Sequence, residues 1–85
     1  MRTNQQIAPQ DFVHTRYELV DHVLTVTLNR PERRNALNWR AYDELASSFR
    51  AADADEQVRC VIVTGADPAF CSGDDVAEIM AGPDG

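Results

Sequence analysis

A chain of 85 residues leaves room for one small domain, and at that length folding buries only roughly 60–65% of the surface that the unfolded chain exposes. Apolar residues make up 44% and charged residues 26%, a globular balance that excludes a disordered tail or a linker. The net charge of −6, with basic residues that are all arginine and scattered from Arg2 to Arg59, excludes a general nucleic-acid surface, which needs a clustered positive face.

The chain opens on "MRTNQQIAPQ", polar and without the apolar core of a signal peptide, so residues 1–11 read as a flexible lead-in. No apolar run is long enough to cross a bilayer, and the expectation is a cytoplasmic protein with no membrane partner. Two cysteines, Cys60 and Cys71, are then reduced, and each reads as a buried structural thiol.

From Phe12 the pattern changes. "YELVDHVLTVTLN" alternates apolar and β-branched residues, with Leu24, Val26 and Leu28 on one face and Val23, Thr25 and Thr27 on the other. Asp21-His22 falls where a two-residue hairpin turn belongs, so this stretch predicts a β-hairpin. "NRPERRNAL" follows as a loop, because Pro31 cannot donate to a ladder and biases Arg30 away from helix. Asn38 can cap a helix whose apolar positions Trp39, Tyr42, Leu45, Phe49 and Ala52 recur every three or four residues and fade near Asp53–Asp55. "RCVIVTG" is a β-branched run ended by Gly65, which predicts a buried strand, and its place after a helix predicts a parallel crossover. "ADPAF" is a turn, Asp74 or Asp75 begins a second helix reaching about Met80, and Gly82, Pro83 and Gly85 end it. The fold class is α/β, with a small mixed sheet and two helices.

The turn "AFCSGDDVAEIM" carries the chemistry, if any part of the chain does. A helix start offers backbone N–H groups with no intrahelical partner, and Gly73 permits a close backbone approach by a ligand. On residue types alone a plainer reading, Asp74 and Asp75 as helix caps, stays open beside it. Metal binding is disfavoured, because a calcium loop needs alternating oxygen donors over a dozen residues and the histidines, His14 and His22, add no zinc spacing. Arg33-Arg34 can fork onto phosphate oxygens or lie in a solvated loop.

Taken in order, "LNRPERRNALN" and, after the intervening helix, "RCVIVTGADPAFCSGDDVAEI" resemble the amino-terminal part of the crotonase superfamily, the enoyl-CoA hydratase/isomerase family. The resemblance covers roughly Tyr17 to Met80 and implies that residues 12–85 form the amino-terminal, incomplete part of a crotonase-like domain of β-β-α units. It implies an acyl-CoA or enoyl-CoA substrate, no cofactor beyond the coenzyme A of that substrate, and a homotrimer or hexamer for the complete protein. One oxyanion-hole donor would be the Asp74 N–H, in a turn shaped by Gly73; Arg33 or Arg34 would meet phosphate, Ala36 and Leu37 would line the nucleotide and pantetheine path, and Ala69 and Cys71 would lie near the adenine. The second donor and the two hydratase glutamates would follow later, so the 85-residue chain alone is expected to be inactive and, with its strand edges unpaired, to be unstable or to associate. A short, non-catalytic CoA-binding or assembly module is the other reading that the sequence leaves open.

Overall fold

The computed structural model describes residues 5–82, and within them the sheet is built outward from one hairpin. Strand β1 (Thr15–Val20) runs antiparallel to β2 (Val23–Leu28), with Val20 opposite Val23 and Thr15 opposite Leu28. Asp21 and His22 join them, both with positive φ (51° and 68°), the twist that a two-residue primed turn requires. The His22 carbonyl accepts from the Arg59 and Cys60 N–H groups, and its ring Nδ1 meets the Gln57 carbonyl at 2.8 Å, so this turn residue also anchors the start of the third strand.

Helix α1 (Trp39–Ala54) connects β2 to β3 (Cys60–Gly65), which pairs with β2 in parallel, Val23 opposite Cys60 and Leu28 opposite Gly65. The sheet order is β1-β2-β3, and helix α2 (Val76–Ala81) closes the described chain. Asn38 caps α1, its side-chain oxygen accepting from the Ala41 N–H at 2.8 Å, and Asp75 caps α2. Gly82 ends α2 as expected, whereas the expected stop residues Pro83 and Gly85 lie outside the described residues. Leu24 and Val26 of the central strand are fully buried, each contributing about 1.5–3 kcal/mol of hydrophobic stabilisation. No helix among the described residues is long and apolar enough to cross a membrane.

Three expectations are corrected by the packing. Strand β3 is exposed along its length, with Val61, Ile62 and Val63 at 41, 47 and 38%, because it occupies the sheet edge while α1 lies against β1 and β2. Cys60 is accordingly an exposed thiol, and Cys71 is half-buried. Helix α1 buries not its apolar stripe but Ala41, Asp43, Glu44, Ser47 and Ser48, and leaves Phe49 exposed.

The reason lies in the segment before β1, whose described part is seated along α1. Extended backbone without a ladder must find acceptors elsewhere. Here the Gln5 N–H donates to Asp43 Oδ1, the Ile7 N–H to Ser47 Oγ at 3.0 Å, and the Val13 and His14 N–H groups to the two oxygens of Glu44. A polar helix face is what such a segment needs as a floor. Residues 1–4 of the expected lead-in lie outside the described residues.

Glu44 carries the most of this seam. Burial pushes its carboxyl up, but hydrogen bonds from the Thr15 hydroxyl, the Val13 N–H, the Arg40 guanidinium and the His14 N–H outweigh that and hold it below the ordinary 4.5. A carboxyl lowered in the folded state stabilises fully above its unfolded pKa and ceases to do so as pH falls through the folded one. Glu44→Gln is therefore expected to cost about 2 kcal/mol at neutral pH, because one acceptor becomes a donor facing donors. It is also expected to flatten the loss of stability below about pH 4.5; urea unfolding across that range is the measurement.

Candidate functional site

The loop after β2 is tightly turned. Pro31–Arg33 forms a single 3-10 turn, after which Arg34 and Asn35 both take left-handed backbone angles, with φ of 52° and 58°. Asn tolerates that region better than most residues, and this one is 1% exposed. Its side-chain oxygen accepts from the Arg30 N–H at 2.8 Å, and its amide donates to the carbonyls of Ala66 and Ala69 at 2.8 and 2.5 Å. One asparagine thus ties the loop after β2 to the turn after β3.

Arg30 makes the second tie. Buried at 6% exposure, it donates through Nη1 to the Ala36 carbonyl at 2.6 Å and through Nη2 to Glu78 Oε2 at 2.7 Å and Asp75 Oδ2 at 3.4 Å. Arg33 forks onto the same Asp75, Nε to Oδ2 at 3.1 Å and Nη2 to Oδ1 at 3.0 Å. Burial pushes the Asp75 carboxyl up, but the Glu78 N–H and the Arg33 fork prevail and hold it below the usual range. Asn38, besides capping α1, donates to Glu78 Oε1 at 3.3 Å and lies 3.3 Å from His14 Nε2. His14 is lowered by burial and by the Arg30 charge, so it is the neutral ring that stands here.

Against this frame the second turn is laid. Gly65 leaves β3 so close to the returning chain that a Cβ there would stand 2.2 Å from the Phe70 carbonyl oxygen, which only glycine permits. Gly73, with φ of 102°, then reverses the chain. The Leu37 N–H donates to the Gly73 carbonyl and the Leu37 carbonyl accepts from the Asp75 N–H, both at 2.8 Å, an isolated parallel bridge between Leu37 and Asp74. In a parallel bridge the residue between the two bonded peptides points its own N–H away from the partner segment. The Asp74 N–H makes no hydrogen bond among the described residues. The Asp74 carboxylate accepts from the Tyr42 hydroxyl of α1.

The family model described as Enoyl-CoA hydratase/isomerase matches residues 18–84. The chain belongs to the enoyl-CoA hydratase/isomerase family. Among relatives, 1,2-epoxyphenylacetyl-CoA isomerase of Escherichia coli K12 is 40% identical over 63 residues, covering 74% of this chain and 24% of that protein. The mitochondrial Delta(3,5)-Delta(2,4)-dienoyl-CoA isomerase of Mus musculus is 38% identical over 80 residues, covering 87% of this chain and 24% of that protein. Among solved structures, an enoyl-CoA hydratase from Mycobacterium tuberculosis H37Rv superposes with a TM-score of 0.78 at 41% identity, covering 84% of this chain and 32% of that one. The chain thus spans about a quarter of the length of these curated relatives and a third of the solved one.

The site residues expected from the sequence of this enoyl-CoA hydratase/isomerase family member lie close together in the fold. Ala36, Leu37, Gly73 and Asp74 come together at the bridge, and Ala69 and Cys71 lie on the adjoining turn, the Cys71 sulfur accepting from the Gly73 N–H at 3.4 Å. The arginine pair divides: Arg33 is engaged by Asp75, whereas Arg34 is exposed with no side-chain hydrogen bond or ion pair among the described residues. Arg30, Asn35, Asn38 and Asp75, which hold the two segments in place, were legible in sequence only as a residue before proline, a loop residue and two helix caps. A further signal was available at Asn35, an asparagine where a loop turns sharply, which is a left-handed position by preference.

Asn35→Gly and Asn35→Ala are expected to separate its two contributions. Both lose the three side-chain hydrogen bonds, and the alanine variant is expected to be less stable than the glycine variant by about 1 kcal/mol, the cost of a Cβ in left-handed backbone. Equal urea midpoints for the two would mean that the left-handed backbone at this position costs a Cβ nothing.

Proposed function

We propose that this chain supplies the thioester-facing part of an acyl-CoA enzyme that works through an enolate, with addition of water to a 2-enoyl-CoA as the reaction. The carrying observation is the Leu37–Asp74 bridge, which leaves the Asp74 N–H directed away from Leu37 and without a partner among the described residues. Adding water to an α,β-unsaturated thioester, or moving its double bond, builds negative charge on the thioester oxygen. A donor held rigidly at that oxygen stabilises the transition state by about 3–4 kcal/mol, because it need not reorient as charge develops. The bridge, the Asn35 bonds and the buried Arg30 supply that rigidity.

Proton transfer is a separate requirement, and the carboxylates near the turn are already committed. Asp75 is taken by Arg33 and Arg30, Glu78 by Arg30 and Asn38, and Asp74 by Tyr42. None is left as a general base. The reading therefore assigns this chain one oxyanion donor and a coenzyme A path along Ala36, Leu37, Ala69 and Cys71, and leaves acid/base groups and the second donor to further chain in a trimeric or hexameric whole. The substrate brings its own coenzyme A, and no other cofactor is needed. Phosphate contact falls to Arg34, the member of the pair that is not engaged.

Crotonyl-CoA is expected to raise the melting temperature of the pure 85-residue protein while its own absorbance stays unchanged, bound but not hydrated. Arg34→Ala is expected to weaken that binding about fivefold, the size of one exposed charge contact. Turnover of crotonyl-CoA by the pure chain would overturn the division of labour, and failure of any acyl-CoA to bind would overturn the site itself.

A further inference from the structure

Resting on that reading, a carboxylate on the residue whose N–H faces the thioester is an electrostatic liability. The developing enolate and the Asp74 side chain are both negative, and two like charges within a few ångströms repel by about 1 kcal/mol even in bulk water and by several in a partly dry site. Asp74 is also exposed, so no wall restricts its rotamers. The Arg30, Arg33, Asp75 and Glu78 cluster does not reach it, since each of those groups is spent on the others. The half-buried Tyr42, one turn into α1, does reach it, and its hydroxyl donates to Asp74 Oδ1.

We propose that Tyr42 is a positioning residue that holds the Asp74 carboxylate aside, so that the Asp74 N–H can receive a thioester oxygen without a competing negative charge. Two placements produce the arrangement. The Leu37 bridge fixes the Asp74 backbone, and α1, capped at Asn38 directly after Leu37, carries Tyr42 to the carboxylate from the same segment. Backbone and side chain of one residue are thereby set by neighbours five positions apart. The phenol responds accordingly: the Asp74 hydrogen bond, then burial and the Asp74 charge, push the Tyr42 hydroxyl above its ordinary 10.0, so it remains a donor throughout the physiological range.

The test compares two ligands on the full chain, acetoacetyl-CoA, whose C2 enolate shares its negative charge with the thioester oxygen, and coenzyme A, which has no thioester oxygen. Tyr42→Phe is expected to weaken acetoacetyl-CoA binding about fivefold and to leave coenzyme A binding unchanged. In an Asp74→Ala background, where the N–H remains but the carboxylate is gone, Tyr42→Phe is expected to have no effect on either ligand. Equal weakening for both ligands, or the same loss with and without the Asp74 carboxylate, would reduce Tyr42 to a packing residue and overturn the proposal. Wild-type protein that binds neither ligand would reject the proposed function, and the purpose assigned to Tyr42 with it. Binding that is indifferent to Tyr42 rejects the Tyr42 assignment alone. Titration of the phenol provides a readout that needs no ligand: its pKa is expected to fall in Asp74→Ala, and an unchanged value would mean that the two side chains do not pair.

Discussion

Two backbone hydrogen bonds made by Leu37 hold the two segments of the candidate site in relation to one another. They join a loop that leaves β2 to a turn that leaves β3, and every other feature near them serves to keep those two segments at bridging distance. Asn35 braces the loop against Ala66 and Ala69, Arg30 braces it against Ala36 and α2, and Gly65 lets the turn fold back within contact of the strand end. Because a bridge of two bonds is weak by itself, it persists only where its flanks are immobilised. Here they are immobilised largely by buried polar groups, beside the end of a small hydrophobic core that runs from Leu24 and Val26 through Leu28 to Ala36 and Ala41.

That choice of material has an energetic signature. Arg30 and Asp75 are both nearly buried, and removing charges from water is costly unless each finds several partners. Each finds several, through a shared carboxylate, a backbone carbonyl and a helix cap, and the Arg30 Nε alone of that guanidinium is buried without a hydrogen-bond partner among the described residues. Glu44 repeats the pattern where α1 meets the segment entering β1, a fully buried carboxylate that gathers four donors. A protein with a net charge of −6 thus places some of its few cations where they satisfy carboxylates internally, leaving Arg34 among those available to the outside.

Local chemistry was legible in the sequence; mutual placement was not. The hairpin, the Asp21-His22 turn and the Asn38 cap follow from spacing within a dozen or so residues, the parallel crossover from the order strand, helix, strand, and the structure has all of them. The polar burial of α1 escaped because it is dictated by a segment some 30 to 40 residues away that contributes donors and no pattern. The exposure of β3 escaped for the opposite reason: a continuous β-branched run states what a strand is suited to, not what stands beside it. At the candidate site the turn glycine and its aspartates drew notice by type, whereas Arg30 and Asn35 did not, since an arginine before proline and an asparagine after two arginines are ordinary until the chain has folded around them.

The edge strand has a consequence for the behaviour of the protein as a solute. Among the described residues β3 is paired on one side only, by β2, and its outer backbone groups, flanked by Val61, Ile62 and Val63, form a surface onto which another strand can add. Net charge opposes such additions, since chains that each carry −6 repel at distances up to a Debye length, about 30 Å in dilute buffer and 8 Å at physiological ionic strength. For the 85-residue chain, ionic strength therefore acts as a colloidal control: dilute buffer keeps such edges apart, and added salt lets them meet.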